Sequence, residues 1–258
     1  MMANVVTKTL YQKRRFIIGW TAGLFVVSLL MMLLFPALQK SDIGQLLQGM
    51  SPALEKAIGG ADTFSTASKY IGGELFSLRM PLLFIVFSII LLGSLTVGDE
   101  RKGLTATQLS LPLSRTALLD QKLLAALVIF GIAGIGMVAG IVAGLVLISE
   151  PVDWALLLRH SLGCMLIALN FGLVAVLLHS LGRRGLAVGV ASGLAFLSYL
   201  ISSLVPIASV LEPFEKFSLF HLYQNPSPMS WGHVGILLLV AAIEIVVSIV
   251  AFGRRDIE

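Results

Sequence analysis

Apolar residues gather into six long blocks along the 258-residue chain, at about Phe16–Leu38, Met80–Gly98, Leu123–Ile148, Leu162–Leu181, Leu186–Leu211 and Val234–Phe252. A helix needs roughly 20 apolar residues to cross the hydrocarbon core of a bilayer. Every block reaches that length or falls a residue short of it. The pattern predicts an all-α integral membrane protein, a single domain over residues 1–258 with six transmembrane helices. The first block follows Lys13, Arg14 and Arg15 and so begins like a secretion signal. It is longer than a signal's apolar region, and Phe35–Pro36–Ala37–Leu38 offers no small-residue cleavage site. It is expected to be an uncleaved first span.

The polar stretches between the blocks decide orientation. With both termini cytoplasmic, the inner segments hold Lys8, Lys13, Arg14, Arg15, Arg101, Lys102, Arg115, Lys122, Arg183, Arg184, Arg254 and Arg255. The opposite side holds Lys40, Lys56, Lys69, Arg79, Arg159 and Lys216, together with eight acids. Twelve cations against six satisfies the positive-inside rule. Composition agrees with lipid as the main solvent: 12% of residues are charged and the mean hydropathy is +0.95, where a soluble domain carries about 25% charged residues. Topology accounts for the pI of about 9.4 without nucleic acid.

The connections differ in kind. Residues 39–79 form a long outer segment in which Ser51–Pro52 reads as a helix start and Gly59–Gly60 as a stop. Residues 212–232 mix Pro213, Pro226 and Pro228 with Phe214, Phe217, Phe220, Tyr223 and Trp231, predicting a short amphipathic or re-entrant segment at the interface. Before the first block, Val5, Val6, Thr9 and Leu10 share a helical face, so this segment is expected along the inner membrane surface. Gly136, Gly140 and Gly144 recur every four residues in the third span, and Gly185, Gly189 and Gly193 in the fifth. Such stripes let helix backbones approach closely. Packing within the chain is the first reading for both stripes and a dimer seam the second.

Catalytic and nucleotide chemistry finds no motif. There is no G-x-x-x-x-G-K-[ST] phosphate loop, no H-E-x-x-H and no G-x-S-x-G elbow. His160, His179, His221 and His233 have no metal-ligand spacing, and Cys164 is alone in an apolar run, where it is expected to be buried. Glu244 is the one acid deep in a span. A bare charge there costs about 2–3 kcal/mol on insertion scales, so it should face protein or a wet cavity. Ala241, Glu244, Ser248 and Ala251 make a small polar stripe, with Asn170 the preferred partner of Glu244, Ser88 the second and Arg79 a remoter one. Glu244 either hydrogen-bonds neighbouring helices or lines a translocation path.

The inner segment 99–116 is the most structured of the loops. It reads Asp99-Glu100-Arg101-Lys102-Gly103-Leu104-Thr105-Ala106-Thr107-Gln108-Leu109-Ser110-Leu111-Pro112-Leu113-Ser114-Arg115. Gly103 should break the second span, Leu104 to Leu111 form two turns, Pro112 stop them and Ser114 cap the third span. This segment resembles the inner loop of ABC-2 permeases, in which an acidic-basic run is followed by Gly and then Leu-x-Pro-x-Ser-Arg. The middle, Leu104-Thr105-Ala106-Thr107-Gln108, is more polar than the family's. The basic N-terminal segment, the six spans, the long first outer loop and the terminal Phe252-Gly253-Arg254-Arg255-Asp256 extend the likeness to the whole chain.

The resemblance implies the fold of a type V (ABC-2) exporter and the role of its permease. It implies a half-transporter in the bacterial plasma (inner) membrane, dimeric with a second copy or a paralogue. Two separate ATPase subunits would bind ATP and Mg, and no cofactor would be held by this chain. Glu100, Arg101, Lys102, Gly103, Pro112, Ser114 and Arg115 would form the loop that docks on the ATPase. A secondary transporter or channel is the alternative, and a membrane-embedded enzyme is a more distant one.

Overall fold

The computed structural model describes residues 5–41, 61–109, 114–205, 208–224 and 227–255. Ten helices form among them, with no strand among the described residues: α1 (Val5–Gln12), α2 (Arg14–Lys40), α3 (Ala67–Arg101), α4 (Leu104–Leu109), α5 (Arg115–Leu147), α6 (Trp154–Ser180), α7 (Ala187–Leu204), α8 (Glu212–Glu215), α9 (Leu219–Gln224) and α10 (Trp231–Arg254). Six of them, α2, α3, α5, α6, α7 and α10, are long and apolar enough to cross a membrane. The chain is a multi-pass membrane protein.

The spans begin where side chains supply the missing helix-end partners. Ser114, Asp153 and Ser230 each accept from a backbone N–H three residues on, that of Ala117, Leu156 and His233, and so start α5, α6 and α10. These starts lie earlier than the apolar blocks suggest, because a span's first turns outside the hydrocarbon tolerate polar residues. The fifth span departs in the other direction. It ends at Leu204 rather than Leu211, and Pro206, next but one in the sequence, disfavours helix at the residue before it.

The largest correction concerns the second span, expected at 80–98. It is a continuous helix of 35 residues, Ala67–Arg101, capped by the Thr66 side chain. The expected outer loop is therefore shorter by 13 residues at this end, while Ser51–Pro52 and Gly59–Gly60 lie outside the described residues. Gly72, Gly73, Glu74 and Arg79 interrupt the hydropathy there, but neighbours cover the helix. Two stretches, Ile71–Arg79 and Ser94–Gly98, are wound as π-helix. A π turn shifts the backbone bonds by one residue, and in both stretches side chains from other elements take up carbonyls. Tyr223 Oη donates to Phe76 O at 2.6 Å and Gln224 Nε2 to Ser77 O at 2.8 Å; Lys122 Nζ donates to Leu95 O at 2.7 Å. Burial pushes the Tyr223 phenol well above its ordinary pKa, so it stays a donor.

α3 and α6 are buried along most of their length, whereas only a minority of the residues of α2, α7 and α10 are buried. α6 is the hub of the bundle, packed on α3, α7 and α10, and α5 carries α2 along its flank. Phe87 of α3 ties three spans together, with Phe16 and Trp20 of α2 and Phe130 of α5 at ring distances of 5.7, 5.3 and 5.2 Å. Gly136, Gly140 and Gly144 all face α2, and a Cβ at any of them would collide with Thr21, Phe25 O or Met32. This stripe is an intrachain seam. Gly185, Gly189 and Gly193 have no neighbour within 4 Å, so packing inside the chain is not their role. Ala187, Ala191 and Ala195 of α7 are the buried ones.

α1 also departs from expectation. Its Val5 and Thr9 are buried, Val5 N donates to Gln121 Oε1 at 3.0 Å, and the helix packs on the start of α5. Its apolar face meets protein rather than the membrane surface. The outer aromatic segment forms α8 and α9, with Phe220 and Tyr223 buried and Phe214 and Phe217 exposed.

Candidate functional site

The inner loop leaves α3 as its sequence predicts. Gly103 adopts φ +69°, a left-handed value that glycine tolerates best, and its N–H closes on Glu100 O at 3.0 Å. α4 follows, and Ser114 caps α5 with its hydroxyl 3.1 Å from Ala117 N. Pro112 lies outside the described residues. The result is a short helix at the ends of two long ones, with Thr105 and Gln108 buried.

The foot of α3 holds two adjacent acids that reach in different directions. Asp99 Oδ2 accepts from Lys122 Nζ of α5 at 2.8 Å, and Lys122 is buried. Glu100 is the centre of a larger cluster. Arg255 Nη2 lies 2.5 Å from Glu100 Oε1 and Nη1 3.1 Å from Oε2, a bidentate pair. Arg184 Nη1 approaches Oε1 at 3.1 Å, and His179 Nε2 approaches Oε2 at 3.2 Å. Arg255 also donates to His179 O at 2.9 Å, while Arg115 donates to Arg255 O. Phe252 stacks on the His179 ring at 5.9 Å. One carboxylate thus binds α3 to the end of α6, the turn after it and the end of α10.

Lys13 closes the same foot from the other side, donating to Ser94 Oγ at 2.8 Å. Burial pulls its ammonium below the ordinary lysine pKa, against the opposing attraction of Asp99. It is turned inward rather than toward headgroups.

The candidate loop residues therefore divide. Glu100 and Arg115 are committed to contacts within the chain, and among the charged candidates Arg101 and Lys102 are the exposed ones. Arg184, Arg255 and His179 are functional candidates that the sequence reading left aside. For Arg184 and His179 the sequence offered no pairing signal, and Arg255 stood only within the terminal motif. The Phe252-Gly253-Arg254-Arg255 motif and the loop motif meet across 155 residues of chain.

The polar residues inside the membrane do not pair as expected. Asn170 Nδ2 donates to Leu166 O of its own helix at 2.8 Å and to Leu237 O of α10 at 3.3 Å. Glu244 Oε2, Asn170 Oδ1, Ser248 Oγ and Ser88 Oγ are all buried without a hydrogen-bond partner. Asn170 contacts α10 seven residues before Glu244, two turns away, so the two side chains serve different levels of the seam.

The four histidines have separate tasks. His160 stacks on Phe76, His179 serves Glu100, His221 Nδ1 lies 2.8 Å from Glu215 Oε1, and His233 Nδ1 lies 3.0 Å from Leu222 O. Cys164 is buried.

No curated protein and no solved structure matches the chain. A family match covers residues 5–253, from the first turn of α1 to the last of α10. Six apolar spans and a structured loop at the foot of the second fall within that match, and Arg255, bound to that loop, lies two residues beyond it. The chain belongs to the family described as multidrug efflux system permease Rv1217c, C-terminal domain.

Proposed function

We propose that this chain is the transmembrane permease of an ATP-driven exporter of the ABC-2 class. In this reading it is a half-transporter in a bacterial inner membrane, with both termini cytoplasmic. It pairs with a second copy or a paralogue, and two ATPase subunits carry the ATP and Mg. The observation that carries the reading is the anchored loop. A movable element can drive spans only if its base is rigidly joined to them, and Glu100 joins the base of the 99–116 knob to α6 and α10 while Asp99 joins it to α5. A push on exposed Arg101 and Lys102 would be transmitted to four spans at once. The open Gly189 and Gly193 face of α7, with Gly185 open in the turn before it, supports a second permease packing there.

Reversing both outward charges tests the coupling. Arg101→Glu with Lys102→Glu should leave the chain inserted and folded but lower transport-coupled ATPase activity of the reconstituted complex several-fold. Unchanged coupling would reduce these residues to topology signals.

A proton-coupled secondary transporter is the second reading, favoured by one observation: Glu244 has a buried, unpartnered oxygen in mid-span. It predicts export that persists after ATP depletion and stops with Glu244→Gln.

A further inference from the structure

A groove of about 570 Å³ runs between the end of α6 and the last turns of α10. Leu181, Val246, Val247 and Val250 supply apolar walls, and Ser180, Arg254 and Arg255 also line it. The three valines are 58, 42 and 46% exposed, so this surface faces whatever surrounds the bundle. From Val246 to Arg254 the helix rises about 12 Å, the length of a lipid's upper acyl segment. The Ser180 hydroxyl is buried and has no hydrogen-bond partner. Arg254 at the mouth is exposed and makes no hydrogen bond or ion pair with any described residue, in contrast to Arg255, which is held by Glu100. This end of the bundle carries twelve of the eighteen cations.

We propose that the groove binds an anionic phospholipid. Its phosphodiester sits on the Arg254 guanidinium, an acyl chain lies along Val246, Val247 and Val250, and an ester carbonyl accepts from Ser180 Oγ. The chemistry selects this occupant. The guanidinium matches a phosphate in geometry and charge, and basic pockets between spans on the positive side suit anionic headgroups. A zwitterionic lipid brings its own cation beside the phosphate, and inorganic phosphate leaves the valine wall bare. The neighbouring Arg255 belongs to the Glu100 cluster, so an occupied groove steadies the last turn of α10 and with it the base of the loop.

Native mass spectrometry of the full chain, purified in mild detergent and exchanged against vesicles of phosphatidylglycerol or phosphatidylcholine, tests this. Wild type should retain one phosphatidylglycerol and little phosphatidylcholine. Arg254→Gln should lower retention about fivefold, the effect of one cation near a membrane surface, and Val250→Trp should lower it by filling the groove. Arg15→Gln removes an exposed arginine from the same side outside the groove and should change nothing, with helix content by circular dichroism equal in all variants. Equal loss in Arg15→Gln, equal retention of phosphatidylcholine, or displacement of the lipid by inorganic phosphate would overturn the proposal.

Discussion

Glu100 keeps its side chain at 5% exposure beneath three nitrogen-bearing partners, and the partners are unequal. Arg184 is 56% exposed and Arg255 16%. A solvated pair contributes about 0–1 kcal/mol, while removing one member of a buried pair costs about 3–5 kcal/mol because the other charge is left stranded. Glu100→Gln should therefore lower the thermal midpoint in detergent by several degrees, and Arg184→Gln should leave it nearly unchanged. A double-mutant cycle of Glu100→Gln with Arg255→Gln checks the assignment; additive effects would mean that the two side chains are not coupled. The carboxylate also marks a limit of the sequence. Its charge density read as a docking surface, and its inward turn depends on cations 84 and 155 residues away that no local pattern selects. Glu244 poses the other residue-scale test. Glu244→Gln keeps size and hydrogen bonding, while Glu244→Leu removes both. A structural role predicts wild-type export in Gln and lost stability in Leu, whereas a pathway role predicts that Gln alone abolishes export with assembly intact.

Helix contacts explain why two similar glycine stripes behave differently. Both have the same four-residue spacing, so sequence alone cannot distinguish them. Gly140 sits against Phe25 O and Ser28 of α2, where added volume must move backbone. Gly140→Leu should destabilise the monomer by more than the roughly 1–3 kcal/mol of ordinary overpacking. Gly189 faces open space, and Gly189→Leu should leave monomer stability within about 0.5 kcal/mol. If it loosens a dimer instead, cross-linking will report it. The span starts at Ser114, Asp153 and Ser230 follow ordinary capping chemistry and were within reach of the sequence for Ser114. The length of α3 was not, because Gly72, Gly73 and Arg79 look like loop until Tyr223 and Gln224 arrive from 147 residues away to cover the helix.

At the scale of the whole molecule, six apolar spans, an excess of cations on one side and an efflux-permease family point to a transport subunit. The six spans and the permease character were legible because hydropathy and a few motif residues carry them. The inner ion cluster was not, because side alone does not specify pairing. The proposal of an ATP-driven exporter gains its mechanical content from the anchored loop, which would receive the push of a separate motor subunit. Affinity purification of the full chain from its native membrane, followed by an ATPase assay and identification of the eluted proteins, tests that claim most directly. The account predicts co-elution of a separate chain bearing a G-x-x-x-x-G-K-[ST] motif, with ATP hydrolysis that disappears when the permease is stripped of that partner. An eluate without any such chain, from membranes in which export is active and independent of ATP, would contradict it.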